Sequence, residues 1–360
     1  MTAARTPGSN AGSFPMSVPD SFGFLRLLFA SFVIISHSPE VLDGNRSREL
    51  LTRTFGSLSF GELGVSGFFL ISGYLIVQSC RNSASPAQYL TKRFLRIYPG
   101  FAVSFLICWL LVGPISGGTI VQTDLAGQLL RLLTLSEPSV VGSFSGLHYP
   151  VLNGPMWTII YEFRCYVIVL FLHMAGILEN TKKYAIILTG FLVIYVISIR
   201  WPGSGQTRDV VQYLADGVRF VMFFFVGGAF YVLRHFIRLE GATALGAGIV
   251  GLGLMFVAPL AYLAVAMFGA YVLFWFALRV GTGWLSRIGR TVDISYGVYL
   301  YAWPIQNLLV QQDSEMSPVL LAILTMATAS VLGFLSWTFV EGPCMRLKQR
   351  FRTSAPPDAS

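Results

Sequence analysis

Arg26 and His37 stand eleven residues apart inside one apolar run. At 100° per residue, eleven steps make three turns plus about 20°, so a helix through this run turns both side chains to one face, with about 16 Å of rise between them. A neutral imidazole is the usual acceptor of a hydroxyl proton, and a guanidinium holds anions. Taken singly, the arginine reads as a snorkelling side chain and the histidine as an interfacial one. Together on one face, separated by LLFASFVIIS, they point to function, because ionisable groups in apolar runs are costly.

Three further groups have the same character. Glu162 is embedded in WTIIYEFRCY, and Arg164, two residues on, points about 200° away, so the two need different partners. An interhelical ion pair that fixes packing is the bland alternative for both. Arg93 and Arg96 are three residues apart, just before Tyr98-Pro99. Two guanidinium groups on one face suit phosphate oxygens, and equally the headgroups at a membrane surface. Glu341 closes the last apolar run before Gly342-Pro343, where a boundary carboxylate can pair with the basic tail. Tyr296 and Tyr299 either line an acceptor pocket or pack.

The elements that must hold these residues are membrane helices. Of the 360 residues, 54% are hydrophobic and 12% charged, and mean hydropathy is +0.65. Soluble domains carry about 25% charged residues, so a bilayer is the solvent that fits. Ten apolar stretches lie at about 22–38, 62–80, 97–115, 155–175, 184–200, 216–234, 242–258, 260–279, 292–312 and 317–340. They predict an all-α polytopic bundle of about ten spans. The net charge of +8 sits in short loops, which sets orientation and speaks against nucleic acid. With the N-terminus inside, inner segments hold the groups at 81–96, 182–183, 234–238, 279–290 and 346–352, while Arg46, Arg48, Arg53, Arg131, Arg200, Arg208 and Arg219 fall outside. That excess predicts both termini in the cytoplasm. Residues 1–21 and 346–360 read as tails around a transmembrane domain at 22–345. In the segment 116–153, residues 124–135 predict a helix that either lies on the membrane surface or covers the bundle. Cys80, Cys108, Cys165 and Cys344 form no CxxC pair, so neither a disulfide framework nor a metal site is expected. Ser72-Gly73 predicts a close helix contact.

These residues occur within motifs that, in order, resemble the membrane-bound acyltransferase-3 family, the O-acetyltransferases of bacterial polysaccharides, lipopolysaccharides and nodulation factors. The motifs are the Arg26–His37 spacing, GVSGFFLISGYL at 64–75, YLTKRFLRIYPGF at 89–101, GPMWTIIYEFRCY at 154–166, ISYGVYLYAWPI at 294–305 and FVEGP at 339–343. The resemblance implies ten spans, an acetyl-CoA or other acyl-CoA donor from the cytoplasm, a carbohydrate acceptor, free or lipid-linked, and His37 as the central catalytic residue. Two departures stand out: Ala302 replaces a frequent family histidine, and Phe163-Arg164 follows Glu162 where an acidic residue and a glutamine are common. On this reading Arg93 and Arg96 bind the donor phosphates, Arg26 contacts the donor part-way along, Glu162 orients His37, and Tyr296, Tyr299 and Glu341 contact the acceptor. The setting is the bacterial inner membrane. A transporter or flippase for a lipid-linked sugar is the competing class, since embedded charges and interrupted spans also suit transport.

Overall fold

The computed structural model describes residues 20–120, 124–200, 207–281 and 283–350, so the expected tails fall mostly outside it. The described residues are helical, with no strand. Every apolar run becomes a helix: α1 (Phe22–Asp43), α2 (Phe60–Arg81), α3 (Pro86–Ile115), α4 (Leu125–Leu133), α5 (Gly154–Met174), α6 (Thr181–Arg200), α7 (Thr207–Val232), α8 (Gly241–Met255), α9 (Ala258–Val280), α10 (Ser295–Gln312) and α11 (Pro318–Leu347). Helix α4 is the addition from the long segment.

Among the described residues, eight helices are long and apolar enough to cross a membrane: α1, α2, α3, α5, α6, α7, α9 and α11. The other two runs differ for physical reasons. Helix α8 has 15 residues, which at 1.5 Å each falls short of a hydrocarbon core about 30 Å thick. Helix α10 is encased by protein, with 13 of its 18 residues buried, so neighbours solvate it instead of lipid. It therefore carries Gln306 and Asn307 among protein partners, with Asn307 donating to the Val151 carbonyl at 3.2 Å. Gln306 donates to the Ile34 carbonyl and to Ser38 Oγ of α1, both at 2.9 Å.

Helix α1 packs on α2, α10 and α11, and α2 lies along α7. Small residues permit this closeness. A Cβ on Gly73 would sit 1.8 Å from the Phe224 carbonyl oxygen, and one on Gly227 would sit 2.0 Å from that of Leu70. The α2 and α7 backbones thus touch, as expected where dispersion packing holds helices together in lipid. Gly73→Val should leave no monodisperse protein on size exclusion in detergent, because the obstructing atoms are backbone and cannot move aside. Gly190→Ala, with nothing within 4 Å of the new Cβ, should elute like the wild type.

Helix α4 meets both readings of its segment. Leu132 packs on the core and Gln128 is buried, tied to the Ser139 carbonyl at 2.6 Å. Leu125, Leu129, Leu130 and Leu133 stay exposed, an apolar face suited to the membrane surface. Cys80, Cys108 and Cys165 are buried free thiols.

Candidate functional site

Helix α1 brings Arg26 and His37 to two successive cavities. The first, of about 110 Å³, is walled by Arg26, Ser72, Arg93, Arg96, Glu162 and Tyr296. The second, of about 460 Å³, is walled by His37, Glu62, Trp157, Asp216, Arg219 and Tyr262. Val65, Thr158 and Tyr299 line both cavities and so form the partition between them. Tyr299 and Thr158 share a hydroxyl hydrogen bond of 2.7 Å, and the Tyr299 hydroxyl also donates to the Pro155 carbonyl at 2.8 Å.

The first cavity is an arginine cluster. Arg26 of α1 and Arg96 of α3 both reach Asp293 Oδ2, at 3.0 and 2.6 Å. Arg96 stands 3.9 Å from Glu341 and lies over the rings of Tyr296 and Trp337. Arg93 donates to Ser79 Oγ at 3.2 Å and faces the Tyr166 ring. Arg26 and Arg93 each keep a buried Nε with no hydrogen-bond partner. Buried donors of this kind are costly unless something accepts from them, so the cluster is suited to an anionic or polar ligand.

Asp293 lies in the link before α10, outside the spanning helices. Burial pushes its pKa up, but Arg26 and Arg96 overcome that and hold it at about 2, against an ordinary 3.8. A carboxyl depressed in the folded state stabilises fully above its unfolded value, and the contribution fades as pH falls through the folded one. Asp293→Asn should therefore be less stable than wild type by about 2 kcal/mol at pH 6. The gap should close near pH 2. Thermal unfolding in detergent at both values checks this, and a gap that persists at pH 2 would assign the loss to packing instead.

The second cavity holds the imidazole. His37 Nδ1 is 2.7 Å from Glu40 Oε2, and the other Glu40 oxygen takes Arg46 at 2.6 Å. The imidazole also meets the Trp303 ring edge-on, with centroids 5.0 Å apart. Carboxylate, packing and cation together fix the ring.

Several expectations need correction. Glu162 does not orient His37. It lies in the first cavity, accepting from Ser72 Oγ and from the Tyr166 hydroxyl, each at 2.6 Å, while Glu40 holds the imidazole. Arg26 is not a separate station part-way along; Asp293 joins it to Arg96 in one cavity. Glu341 lines neither cavity and stands buried behind Arg96, bonded to Ser336 Oγ at 2.9 Å. A widened turn at 337–341, with the Gly342 N–H on the Trp337 carbonyl, accompanies this inward placement. Tyr296 belongs to the arginine cavity and donates to the Ile97 carbonyl at 3.0 Å, so of the two tyrosines only Tyr299 also borders the His37 cavity. Arg93 and Arg96 do share a cavity, as their spacing requires. Arg164 points away from Glu162, into an apolar groove with Phe94 and Ile168, over the Tyr161 ring. Ala302 packs with Ala30, Ile34 and Ala329 and lines neither cavity.

Three site residues escaped the sequence reading. Glu40 follows His37 by three residues, a spacing that places it on the same helix face. Asp293 stands one residue inside the run predicted at 292–312. Arg219, counted with the outer loops, lies in α7, mostly covered, on Asp216 at 3.0 Å and Tyr262 at 2.5 Å.

A family profile described as an acyltransferase domain matches residues 20–339. The O-acetyl transferase of Shigella phage Sf6 is 29% identical, over 96% of this chain and 99% of that protein. Acyltransferase MdmB of Streptomyces mycarofaciens is 26% identical, over 84% of this chain and 86% of its own. Nodulation protein 10 of Rhizobium leguminosarum biovar viciae is 25% identical, over 91% and 94%. No solved structure matches the chain.

Proposed function

Because the chain belongs to the acyltransferase-3 family and is a multi-pass membrane acyltransferase, we propose that it moves an acetyl group from acetyl-CoA to a carbohydrate hydroxyl, with His37 as the base. One observation carries the reading: a single helix delivers a guanidinium to one cavity and an anchored imidazole to the next, with a shared wall between them. The acetyl group and the oxygen acceptor take support from the phage relative, which is named an O-acetyl transferase. Membership in an acyltransferase family sets the transporter alternative aside.

On this proposal the donor enters at the arginine end, which faces the cytoplasm of a bacterial inner membrane. The first cavity is too narrow for a nucleotide. Beside it, sharing Leu75, lies a cavity of about 750 Å³ lined by Ser79, Asn82, Lys92, Trp337 and Arg346. Two cations and an indole there suit the phosphates and the adenine of coenzyme A. Arg93 reaches the same wall through Ser79. The arm of the donor then occupies the arginine cavity, where the unpartnered Nε atoms of Arg26 and Arg93 serve its polar groups, and the thioester meets the partition at Thr158 and Tyr299.

Glu40 on Nδ1 keeps the proton there and leaves Nε2 basic. Nε2 takes the proton of the acceptor hydroxyl as its oxygen bonds to the thioester carbon. The carbon–sulfur bond breaks, and the leaving thiolate takes that proton from the imidazolium to give free coenzyme A thiol. The test supplies the detergent-solubilised full chain with labelled acetyl-CoA and alkali-deacetylated envelope glycan. Alkali-labile label on the glycan is expected. Absence of both transfer and thioester hydrolysis would remove the assignment.

A further inference from the structure

The His37 cavity is also lined by charged side chains that the chemistry above leaves unused. Arg219 of α7 is 13% exposed and bridges Asp216 at 3.0 Å and Glu62 at 3.7 Å. The Tyr262 hydroxyl accepts from Arg219 and donates to Glu62 Oε1 at 2.6 Å. The other Glu62 oxygen is committed to the start of α2, where it takes the Ser59 N–H at 2.8 Å. Three helices, α2, α7 and α9, thus meet at one polar cluster, and Arg219 Nε remains buried without a partner. Trp157 lines the same space, packed edge-on against Tyr161.

We propose that Asp216, Arg219, Glu62 and Trp157 form the acceptor subsite, and that the sugar it takes is uncharged; this rests on the acyltransferase reading above. The cavity, at about 460 Å³, lies within the range of about 300–1,000 Å³ usual for ligand sites. Carboxylates and a guanidinium fixed on one another present acceptors and donors in set directions, which is how vicinal hydroxyls are recognised. The indole offers a surface for the apolar face of a pyranose. The charge balance excludes an acidic sugar. A uronate would meet Asp216 and Glu62, while the cations of this wall are already engaged, Arg219 by those carboxylates and Arg46 by Glu40. The subsite shares its cavity with His37, so a bound hydroxyl is within the imidazole's compartment.

The experiment compares wild type with Asp216→Asn and Trp157→Phe in the detergent assay with acetyl-CoA and deacetylated envelope glycan. The glycan concentration for half-maximal rate should rise about tenfold or more in Asp216→Asn, the loss of one charge-assisted hydrogen bond. The corresponding acetyl-CoA concentration should stay the same. Labelled fragments released by glycosidase digestion of the glycan, which spares the ester, should carry the label on neutral sugars. Unchanged glycan dependence in both variants, a parallel rise for both substrates, or label on uronic or other acidic sugars would each overturn the subsite while leaving the enzyme assignment intact. A wild-type protein that neither transfers nor hydrolyses the thioester would instead overturn the acyltransferase chemistry on which the subsite rests.

Discussion

His37→Ala should lower acetyl transfer by about a thousandfold at neutral pH, within the range that general-base removal produces. The expectation depends on the protein remaining folded, and the surroundings of His37 favour that. Its side chain is 18% exposed at a cavity wall, so truncation enlarges a space already open. Glu40 is not orphaned by the change, because Arg46 still holds its other oxygen at 2.6 Å. Unpaired buried charge, the usual cause of collapse when an ion-pair partner is deleted, does not arise. Thermal unfolding should shift little, and acetyl-CoA should still bind, since the arginine cluster lies beyond the partition. Transfer retained above about a tenth of wild type would show that the hydroxyl loses its proton to another group.

How far this site could be read from sequence depends on the kind of contact. The eleven-residue spacing of Arg26 and His37 needed only helical periodicity, and the helix obeys it. Positions 93 and 96 are legible for the same reason. Glu40 was missed through an element boundary. The apolar run ends at about 38, so Glu40 falls in the polar link beyond it. The helix in fact runs through Pro39 to Asp43 and stops at Gly44, whose φ of 76° is in the left-handed region. With the helix extended, positions 37 and 40 fall on one face.

Arg219 and Asp293 fail differently. Apart from Asp216, three residues before Arg219 on the same helix, their partners are set by packing between helices distant in sequence: Glu62 and Tyr262 for Arg219, Arg26 and Arg96 for Asp293. No periodicity within a single segment encodes such a meeting. Apolarity predicted that each run would be a helix, since a buried or lipid-bound backbone must bond to itself. It did not separate a helix solvated by lipid from one solvated by protein. That distinction is why α10 carries buried amides and lines the arginine cavity through Tyr296 and Tyr299.

Glu40→Gln tests the corrected partner of the imidazole and should be the second most damaging change, lowering kcat by about a hundredfold. The two side chains are nearly isosteric, so packing is preserved. Arg46, about half exposed, can turn to water, so stability should change little. What changes is the proton on the ring. A carboxylate only accepts, so it demands N–H at Nδ1 and leaves the lone pair on Nε2. An amide can donate its N–H₂ to Nδ1 instead, which moves the proton to Nε2 and turns the base toward the wrong tautomer. The concentration dependence on acetyl-CoA should be unaltered, since Glu40 lines no donor cavity. Glu40→Asp retains a carboxylate and should recover part of the rate. Glu162→Gln is the informative control. It removes charge from the arginine cavity but leaves the His37–Glu40 pair at its 2.7 Å contact, so its loss should be at least about tenfold smaller than that of Glu40→Gln. The opposite order would restore Glu162 as the residue that governs the imidazole and would place the reaction on the arginine side of the partition.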